Sequence, residues 1–323
     1  MKKFLKWLGI GFGIFVSLFF CTILILGLIR PLIFSEFEKK SEASINIPGL
    51  NQNYTPQGLA YSKDKNLYLF CGYMNDKSNS KIFVADQEGK VIKEVNLLKE
   101  DQSKYSGHAG GIAVLNDDIY LSNASKIFHL SLTKLLECEN KGSIAFDGSF
   151  KVDSRASYCF VNEDYLFVGE YFDAGNKSYK TDESHHFSDG KIVNQAICLA
   201  YPIDSNEMFN VNYNSPSFVL SLPGNVQGIC QIDQQIVLSR SSGISFSKLD
   251  FYDLESSKEV GEFKQAKVYF LSDENLTKRV KMPPMSEDID VKDGKIIINF
   301  ESACKKYSLF NIWKTKKVME FKY

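Results

Sequence analysis

Five segments of the chain share one pattern of apolar and polar positions. Each has a short apolar run, a polar turn, and a second run rich in β-branched and aromatic residues. In the clearest copy, residues 110–115 lead through Asn116-Asp117-Asp118 into Ile119-Tyr120-Leu121-Ser122. Two such runs joined by a tight polar turn are typical of a β-hairpin. The pattern therefore predicts five β-hairpins.

The spacing between the two strands of a hairpin is nearly constant, whereas the spacing between successive hairpins varies. Their first runs occupy residues 57–61, 110–114, 156–160, 227–231 and 287–291. Counted from the second residue of each first run, the second run begins eight or nine residues later. Successive copies start 46 to 71 residues apart. Repeats of this length with four short strands are typical of propeller blades. We predict an all-β fold, a five-bladed β-propeller, with a sixth blade inside the longest interval as the alternative.

Further strands are visible between the hairpins, and they suggest how the ring closes. Third and fourth strands are predicted at residues 81–85 and 91–97, 126–130 and 143–146, and 196–201 and 218–222. After the fifth hairpin only one strand is evident, near residues 318–321, and residues 45–49 resemble an outer strand. Since a closed ring removes free strand edges, we expect the N-terminal strand to complete the last blade.

The first thirty residues differ in character from the rest. Residues 8–29 carry no charge and are almost wholly apolar, which is long enough to cross a bilayer, and Lys2, Lys3 and Lys6 precede them. A cleaved signal peptide is the alternative, but its apolar region is usually shorter. We predict a cytoplasmic tip and transmembrane anchor at 1–30, a juxtamembrane stalk at 31–43, and a propeller at 44–323 outside the cytoplasm, at the cell membrane.

Composition excludes several function classes. The formal net charge is -1, and the chain has no basic cluster and no zinc-ligand spacing, which argues against a nucleic-acid partner. No nucleophile elbow, P-loop or dinucleotide-binding fingerprint is present. Of the seven cysteines, Cys71 and Cys304 end the second strands of the first and last copies, so a disulfide between neighbouring blades is one interpretation.

Polar residues recur at one end of the predicted hairpins. The start of each first strand and the end of each second strand lie on the same face of a propeller, so these residues should meet at the channel mouth. They are Gln57, His108, Arg155, Gln227 and Glu287 at the starts, and Asn123, Glu170, Arg240 and Glu301 at the ends. Convergent polar groups in a concave surface predict a binding site for a small-molecule or cell-surface ligand.

The residues at the predicted mouth allow three interpretations. Glu170, Glu287 and Glu301, with nearby amides, could hold Ca²⁺, which could polarise an ester or lactone carbonyl while His108 acts as general base. Alternatively, Arg155 and Arg240 would repel a cation and grip an anionic ligand. In the third interpretation, the charged residues form ion pairs with one another and bind nothing.

A long insertion follows the second strand of the third hairpin. It covers residues 171–186, contains glycine and several aromatic residues, and ends in His185 and His186. Its position predicts that it lies over the mouth. Long loops of this kind act as lids or are plain surface loops.

The hairpin motifs resemble those of a known group of propellers. Gln57-Gly58-Leu59-Ala60 and Gly111-Ile112-Ala113-Val114, with their partner strands, are similar to the gluconolactonase, strictosidine-synthase and NHL-repeat group. The resemblance implies six blades and a divalent cation at the mouth, with Glu287 and Glu301 as ligands. This chain has five copies and carries Gln57 where a glutamate ligand is expected. We therefore expect a ligand-binding or interaction module, with a calcium-assisted lactonase or esterase as the alternative.

Overall fold

The computed structural model describes residues 2–309 and 311–323, apart from several side chains near the N-terminus. Its helices are short except for the first: α1 (Lys2–Leu28), α2 (Arg30–Ile33), α3 (Ser35–Lys40) and α4 (Leu132–Glu137). Within the described residues, no helix is long and apolar enough to cross a membrane. The predicted transmembrane segment coincides with α1, and some of its side chains lie outside the described residues. The anchor therefore stays a prediction.

Five sheets, each with at least four strands, form the body of the protein. The N-terminal strand is β1 (Ser41–Asn46), and the first two blades follow it. Their strands are β2 (Tyr54–Ser62), β3 (Leu67–Met74), β4 (Lys81–Ala85), β5 (Val91–Leu98), β6 (Gly111–Leu115), β7 (Asp118–Asn123), β8 (Lys126–Ser131), β9 (Ser143–Ala145) and β10 (Gly148–Lys151).

The third blade contains the insertion, with a small hairpin of its own. The strands of this part are β11 (Tyr158–Val161), β12 (Tyr165–Gly169), β13 (Phe187–Ser188), β14 (Val193–Asn194), β15 (Ala196–Pro202) and β16 (Phe218–Leu222). Three single 3₁₀ turns lie between them: Lys177–Tyr179, Glu183–His185 and Met208–Asn210.

The last two blades complete the ring. Their strands are β17 (Val226–Ile232), β18 (Gln235–Arg240), β19 (Ser247–Asp253), β20 (Lys258–Phe263), β21 (Ala266–Phe270), β22 (Leu276–Met282), β23 (Ser286–Lys292), β24 (Lys295–Phe300) and β25 (Lys317–Phe321). The first strands of the blades contact one another in the cyclic order β2, β6, β11, β17, β23 and back to β2. The prediction of five blades is confirmed.

The ring closes through an N-terminal strand, as predicted, but this strand is β1 (Ser41–Asn46) and not residues 45–49. β1 pairs antiparallel with β25, with Ser41 opposite Phe321 and Ala43 opposite Met319. The last blade is therefore ordered β23, β24, β25, β1. Closure joins the two ends of the chain in one sheet, so the blade's outer edge depends on residues at the start of the propeller.

The segment predicted to be a stalk is packed on the propeller. It folds as α2, α3 and the start of β1, and Phe34 and Phe37 are 1% and 0% exposed. The ring of Phe37 stacks on Phe321 of the last blade, with centroids 6.2 Å apart. The apolar spacing of Phe34 and Phe37, three residues apart, explains this because it places both on one side of a helical turn.

One strand differs from its predicted place, and a hairpin for which no prediction was made also pairs outside its own blade. Residues 143–146 were expected to be the fourth strand of the second blade, but β9 pairs parallel with β5 of the first blade, and β10 takes the fourth place. Similarly, the hairpin β20–β21 leaves the fourth blade and extends the third, where β21 pairs parallel with β16. Both segments cover outer edges of neighbouring blades, which would otherwise be exposed.

Asp288 lies where the first strands approach one another at the centre of the propeller. The first strands approach closely at Gly58 and Gly228: an added Cβ on Gly58 would lie 2.6 Å from Ile112 N, and one on Gly228 would lie 2.7 Å from Asp288 Cα. The Oδ2 atom of Asp288 accepts hydrogen bonds from Leu59 N (3.3 Å) and Ile112 N (3.4 Å). Asp288 therefore links the fifth blade to the first two.

The cysteines form no disulfide in the structure. Cys71 and Cys304, the pair considered from the sequence, are both buried and free. The Cys71 thiol donates to Ala109 O at 3.2 Å instead.

Candidate functional site

The mouth of the channel is a cavity of about 750 Å³, which we call the mouth cavity. Its walls are the starts of the first strands, the ends of the second strands, and three loops. Seven of the nine predicted site residues line it: Gln57, His108, Asn123, Arg155, Gln227, Glu287 and Glu301. The structure brings these seven together, and their roles stay predictions.

Irregular backbone aims these side chains into the cavity. Gln57, Gln227 and Glu287 lie at register shifts between first and second strands, in the first, fourth and fifth blades. Such bulges re-aim a side chain. In the second and third blades, Ala109 and Ala156 directly follow His108 and Arg155 and have positive φ angles of 51° and 48°. Strained turns of this kind are common at functional sites.

The floor of the cavity holds a pair of buried carboxyl groups. Glu287 and Glu301 are 3% and 9% exposed and hydrogen-bond each other. Gln57 Nε2 also donates to Glu301 Oε2 at 3.0 Å. Burial, and then the charge of Glu301, raise the pKa of Glu287 well above its usual range. Burial raises the pKa of Glu301 to about 7. The pair therefore holds a proton at neutral pH, with Glu287 as its donor.

This pair predicts a pH dependence of stability. The folded state keeps a proton on Glu301 up to a pKa of about 7, whereas the ordinary value is 4.5. The contribution of this group to the free energy of unfolding is therefore complete below about pH 4.5 and is lost as the pH rises to about 7, by roughly 3 kcal/mol. We expect Glu301→Gln to remove that part of the pH dependence, measured by urea unfolding at about pH 5 and about pH 8.

Glu320→Gln is the matched control. Burial favours a high pKa for Glu320, but hydrogen bonds from Ser44 and Lys295 outweigh it and lower the pKa to about 2. Its contribution is lost only as the pH falls below about 4.5, so this variant should keep the wild-type change between about pH 5 and about pH 8. An unchanged pH dependence in Glu301→Gln would contradict the raised pKa of Glu301.

Aromatic side chains form one wall of the cavity. Tyr73 and His108 stack with ring centroids 4.7 Å apart. Lys306 Nζ donates to the Tyr73 hydroxyl at 2.6 Å and lies 4.7 Å from the centroid of Tyr307. His108 is exposed as a residue, but burial of its ring, and then the charge of Lys306, lower the pKa of the imidazole to about 4. This wall offers ring faces to a ligand.

Three residues of this wall were not predicted. Tyr73 lies two positions beyond Cys71, on the same face of β3. A predicted second strand that was two residues longer would have included it. Lys306 and Tyr307 lie in the loop between β24 and β25, which carries no repeat pattern. Only the fold places that loop at the mouth.

The long insertion also reaches the cavity. Tyr171, Asp173, Asn176 and Tyr179 line it, which agrees with the predicted position over the mouth. Arg155 holds the insertion, because its Nη1 donates to Ser178 O at 3.1 Å and Lys180 O at 2.6 Å. Movement of the insertion as a lid stays a prediction.

Arg240 is not available to a ligand, and this corrects its predicted role. Its Nε donates to Gly224 O at 2.9 Å, and its Nη1 donates to Asp250 Oδ2 at 2.8 Å. Asp250 is fully buried on the adjacent strand and also binds Arg279. A buried carboxylate needs such donors, so it draws the Arg240 guanidinium into the blade and away from the mouth.

Glu170 is not part of the mouth cavity, which corrects the predicted metal set. Its side chain is 0% exposed, and it accepts from Arg155 N and Ile197 N at 3.2 Å. His185 Nδ1 lies 2.9 Å from Glu170 Oε1. In the part of the chain that the structure describes, no three His, Cys, Asp or Glu side chains are grouped to hold a metal ion. Glu287 and Glu301 alone do not complete the oxygen shell of calcium.

The predicted network of ion pairs at the mouth is also absent among the described residues. Arg155 bonds to backbone carbonyls of the insertion and Arg240 to Asp250, so neither arginine pairs with Glu287 or Glu301. Neither arginine therefore neutralises the carboxyl pair of the mouth.

Comparisons with known proteins find solved structures that match the chain at low sequence identity. No protein-family model and no curated protein sequence matches the chain. Hydrazine synthase of Kuenenia stuttgartiensis is 14% identical, with a TM-score of 0.36 over 79% of this chain and 58% of its own. An exo-β-1,3-galactanase of Phanerochaete chrysosporium with β-1,3-galactotriose is 11% identical, with a TM-score of 0.46 over 80% and 60%. BamB of Moraxella catarrhalis is 8% identical, with a TM-score of 0.34 over 84% and 83%.

This chain spans about three fifths of the length of the first two of these proteins. At these TM-scores we base no argument on the likenesses. The β-propeller architecture is established by the strand order and the closed ring, and the particular group of propellers predicted from the hairpin motifs stays a resemblance.

Proposed function

We propose that the protein is a ligand-binding module that takes a small, hydroxyl-rich molecule into the mouth cavity. The observation that carries this proposal is the unused amide of Gln227. It lines the cavity, is half-buried, and makes no hydrogen bond to the rest of the described chain. An amide offers two donors and an acceptor, which suits a hydroxyl group that both donates and accepts.

The other groups of the cavity support the same ligand class. The carboxyl pair on the floor holds a proton, so it can donate as well as accept, and Asn123 adds a second amide. Tyr73 and Tyr179 offer ring faces to the apolar side of such a molecule. The volume of about 750 Å³ is within the range of small-molecule sites.

Binding to the mouth is expected to depend on Gln227. In a panel of neutral monosaccharides, disaccharides and linear polyols, at least one should raise the midpoint of thermal unfolding, because a ligand that binds only the folded state stabilises it. Gln227→Ala should then weaken the binding, measured by calorimetry, about tenfold, since one hydrogen-bonded group is lost.

The matched control is Gln234→Ala. Gln234 is exposed in the turn at the other end of the same hairpin, between β17 and β18. This variant should bind as the wild type does. No binding by any member of the panel, or equal loss in both variants, would contradict the proposal.

Hydrolysis is the second candidate, and the carboxyl pair is the observation that favours it. An ionised and a protonated carboxyl side by side can act as base and acid in one step. The expected calcium-assisted lactonase or esterase would need a further ligand beside Glu287 and Glu301. Glu301→Gln separates the two candidates, because it should abolish turnover of lactones and esters but only alter the affinity of a binding module.

We also propose that the chain is anchored to the cell membrane, with the propeller outside the cytoplasm. The support is the uncharged segment 8–29 and the lysines before it. Release of the full chain from membranes by alkaline carbonate, or protection of the propeller from protease added outside intact cells, would contradict this.

A further inference from the structure

We infer that the ligand of the mouth carries an anionic group, a carboxylate or a phosphate, which binds in a second cavity beside the mouth. This inference rests on the proposed function and names the class of ligand. The second cavity has a volume of about 490 Å³ and is lined by Lys77, Lys305 and Lys306. We call it the lysine cleft.

The lysine cleft and the mouth cavity share a wall. Tyr73 and His108 line both of them, and their rings stack at 4.7 Å with 25° between the planes. A ligand whose body lies against this pair can therefore place one substituent in the cleft. The remaining part can reach the amides and the carboxyl pair of the mouth.

The cleft has an unbalanced positive charge. No Asp or Glu lines it, and Lys77, Lys305 and Lys306 form no ion pair within the described part of the chain. At the edge, Lys104 Nζ donates to Lys77 O at 3.0 Å, and the Asp76 carboxylate accepts from Ser78 and Asn53, so the cleft keeps an excess of positive charge. Several unpaired cations around a concave surface attract an anion, and the attraction falls with added salt.

Lys306 is the cation that connects the two cavities. The Tyr73 hydroxyl and the rings of Tyr73 and Tyr307 hold its ammonium group in place, at 5.1 Å and 4.7 Å from the two ring centroids. Burial raises the pKa of Glu301 to about 7, and the charge of Lys306 opposes that rise. Its charge therefore acts on the floor of the mouth as well as on the cleft.

The test compares matched probes on the full chain. The probes are glucose, glucuronate, glucose 6-phosphate and inorganic phosphate, at constant ionic strength, with affinity measured by calorimetry. We expect at least one of the two charged sugars to bind about tenfold or more tightly than glucose. The carboxylate and phosphate probes distinguish the two sources of negative charge, and inorganic phosphate shows whether the anion alone is sufficient.

Two double variants with the same change of charge show where the anion binds. Lys305→Gln with Lys306→Gln should abolish the preference for the charged sugars. Lys63→Gln with Lys65→Gln, exposed in the turn between β2 and β3 at the other end of the blade, should preserve it. Equal thermal midpoints of the two variants would show that both are folded.

The outcomes separate this inference from the proposed function. If neutral sugars bind but the charged ones bind no more tightly, the inference is overturned and the proposed function stands. If inorganic phosphate binds through Lys305 and Lys306 but no sugar or polyol does, the anion site stands and the hydroxyl-rich ligand is overturned. Absence of binding by all charged probes, or equal losses in both double variants, overturns the anion site.

Discussion

A chain that begins at residue 47 is expected to lose the cooperative unfolding transition of the whole propeller. Such a truncation removes β1, the fourth strand of the last blade, and leaves β25 with an open edge. It also removes Phe37 and Ile45, which are 0% and 5% exposed. Burial of these two side chains contributes about 3–6 kcal/mol, which is a large part of the typical total of about 5–15 kcal/mol.

The damage should spread because each blade is stabilised by its neighbours. Opening one blade exposes the faces that it shares with the next, so the ring loses its closure rather than one frayed end. Thermal unfolding followed by circular dichroism and by calorimetry would measure this. An intact single transition in the chain that begins at residue 47 would refute the role of β1.

Two shorter truncations are the controls. A chain that begins at residue 29 lacks α1, whose described residues contribute one hydrogen bond to the propeller, from Trp313 Nε1 to Leu26 O, and it should unfold as the full chain does. A chain that begins at residue 41 keeps β1 but lacks Phe37. We expect it to retain one transition at a lower temperature, because it loses the burial of Phe37, the hydrogen bond from Lys322 N to Lys40 O and the ion pair between Glu36 and Lys278 but keeps the strand order of the last blade.

Asp288→Ala is expected to be the most damaging single substitution at the centre of the propeller. Asp288 is fully buried and accepts hydrogen bonds from Leu59 N, Ile112 N and Ile289 N. Alanine leaves the first two of these N–H groups, in the first and second blades, without an acceptor. Each unsatisfied group costs about 1–3 kcal/mol, so we expect the free energy of unfolding to fall by about 2–6 kcal/mol. Urea unfolding would measure it.

Asp288→Asn separates the hydrogen bonds from the charge. Asparagine has nearly the same size and keeps one carbonyl oxygen as an acceptor. Burial raises the pKa of Asp288 well above its usual range, so the charged form is costly in this position. The asparagine variant should therefore lose much less stability than the alanine variant. Equal losses would show that the ionisable carboxyl group, rather than volume or the backbone donors, governs this position.

The candidate site could be predicted only in part, for a physical reason. The repeat position of a hairpin determines which residues reach the mouth, and Gln57, His108 and Glu287 were found in this way. It does not determine which polar partner a side chain meets. Arg240 was expected to face a ligand, but Asp250 on the adjacent strand binds it instead. Glu170 was expected to bind a metal but is fully enclosed by donors of its own blade.

By itself, the sequence determined the blades, the closure of the ring and the end of the channel at which polar groups gather. These features follow from local alternation and from turn residues, which act over a few positions of the chain. Only the folded structure shows that Glu287 and Glu301 lie buried side by side, that Asp288 lies between the first strands, and that Lys306 in the cleft contacts Tyr73 and Tyr307 of the mouth wall. Asp288 and Lys306 contact residues of other blades, and Glu287 and Glu301, which belong to one blade, are buried only when the ring is closed.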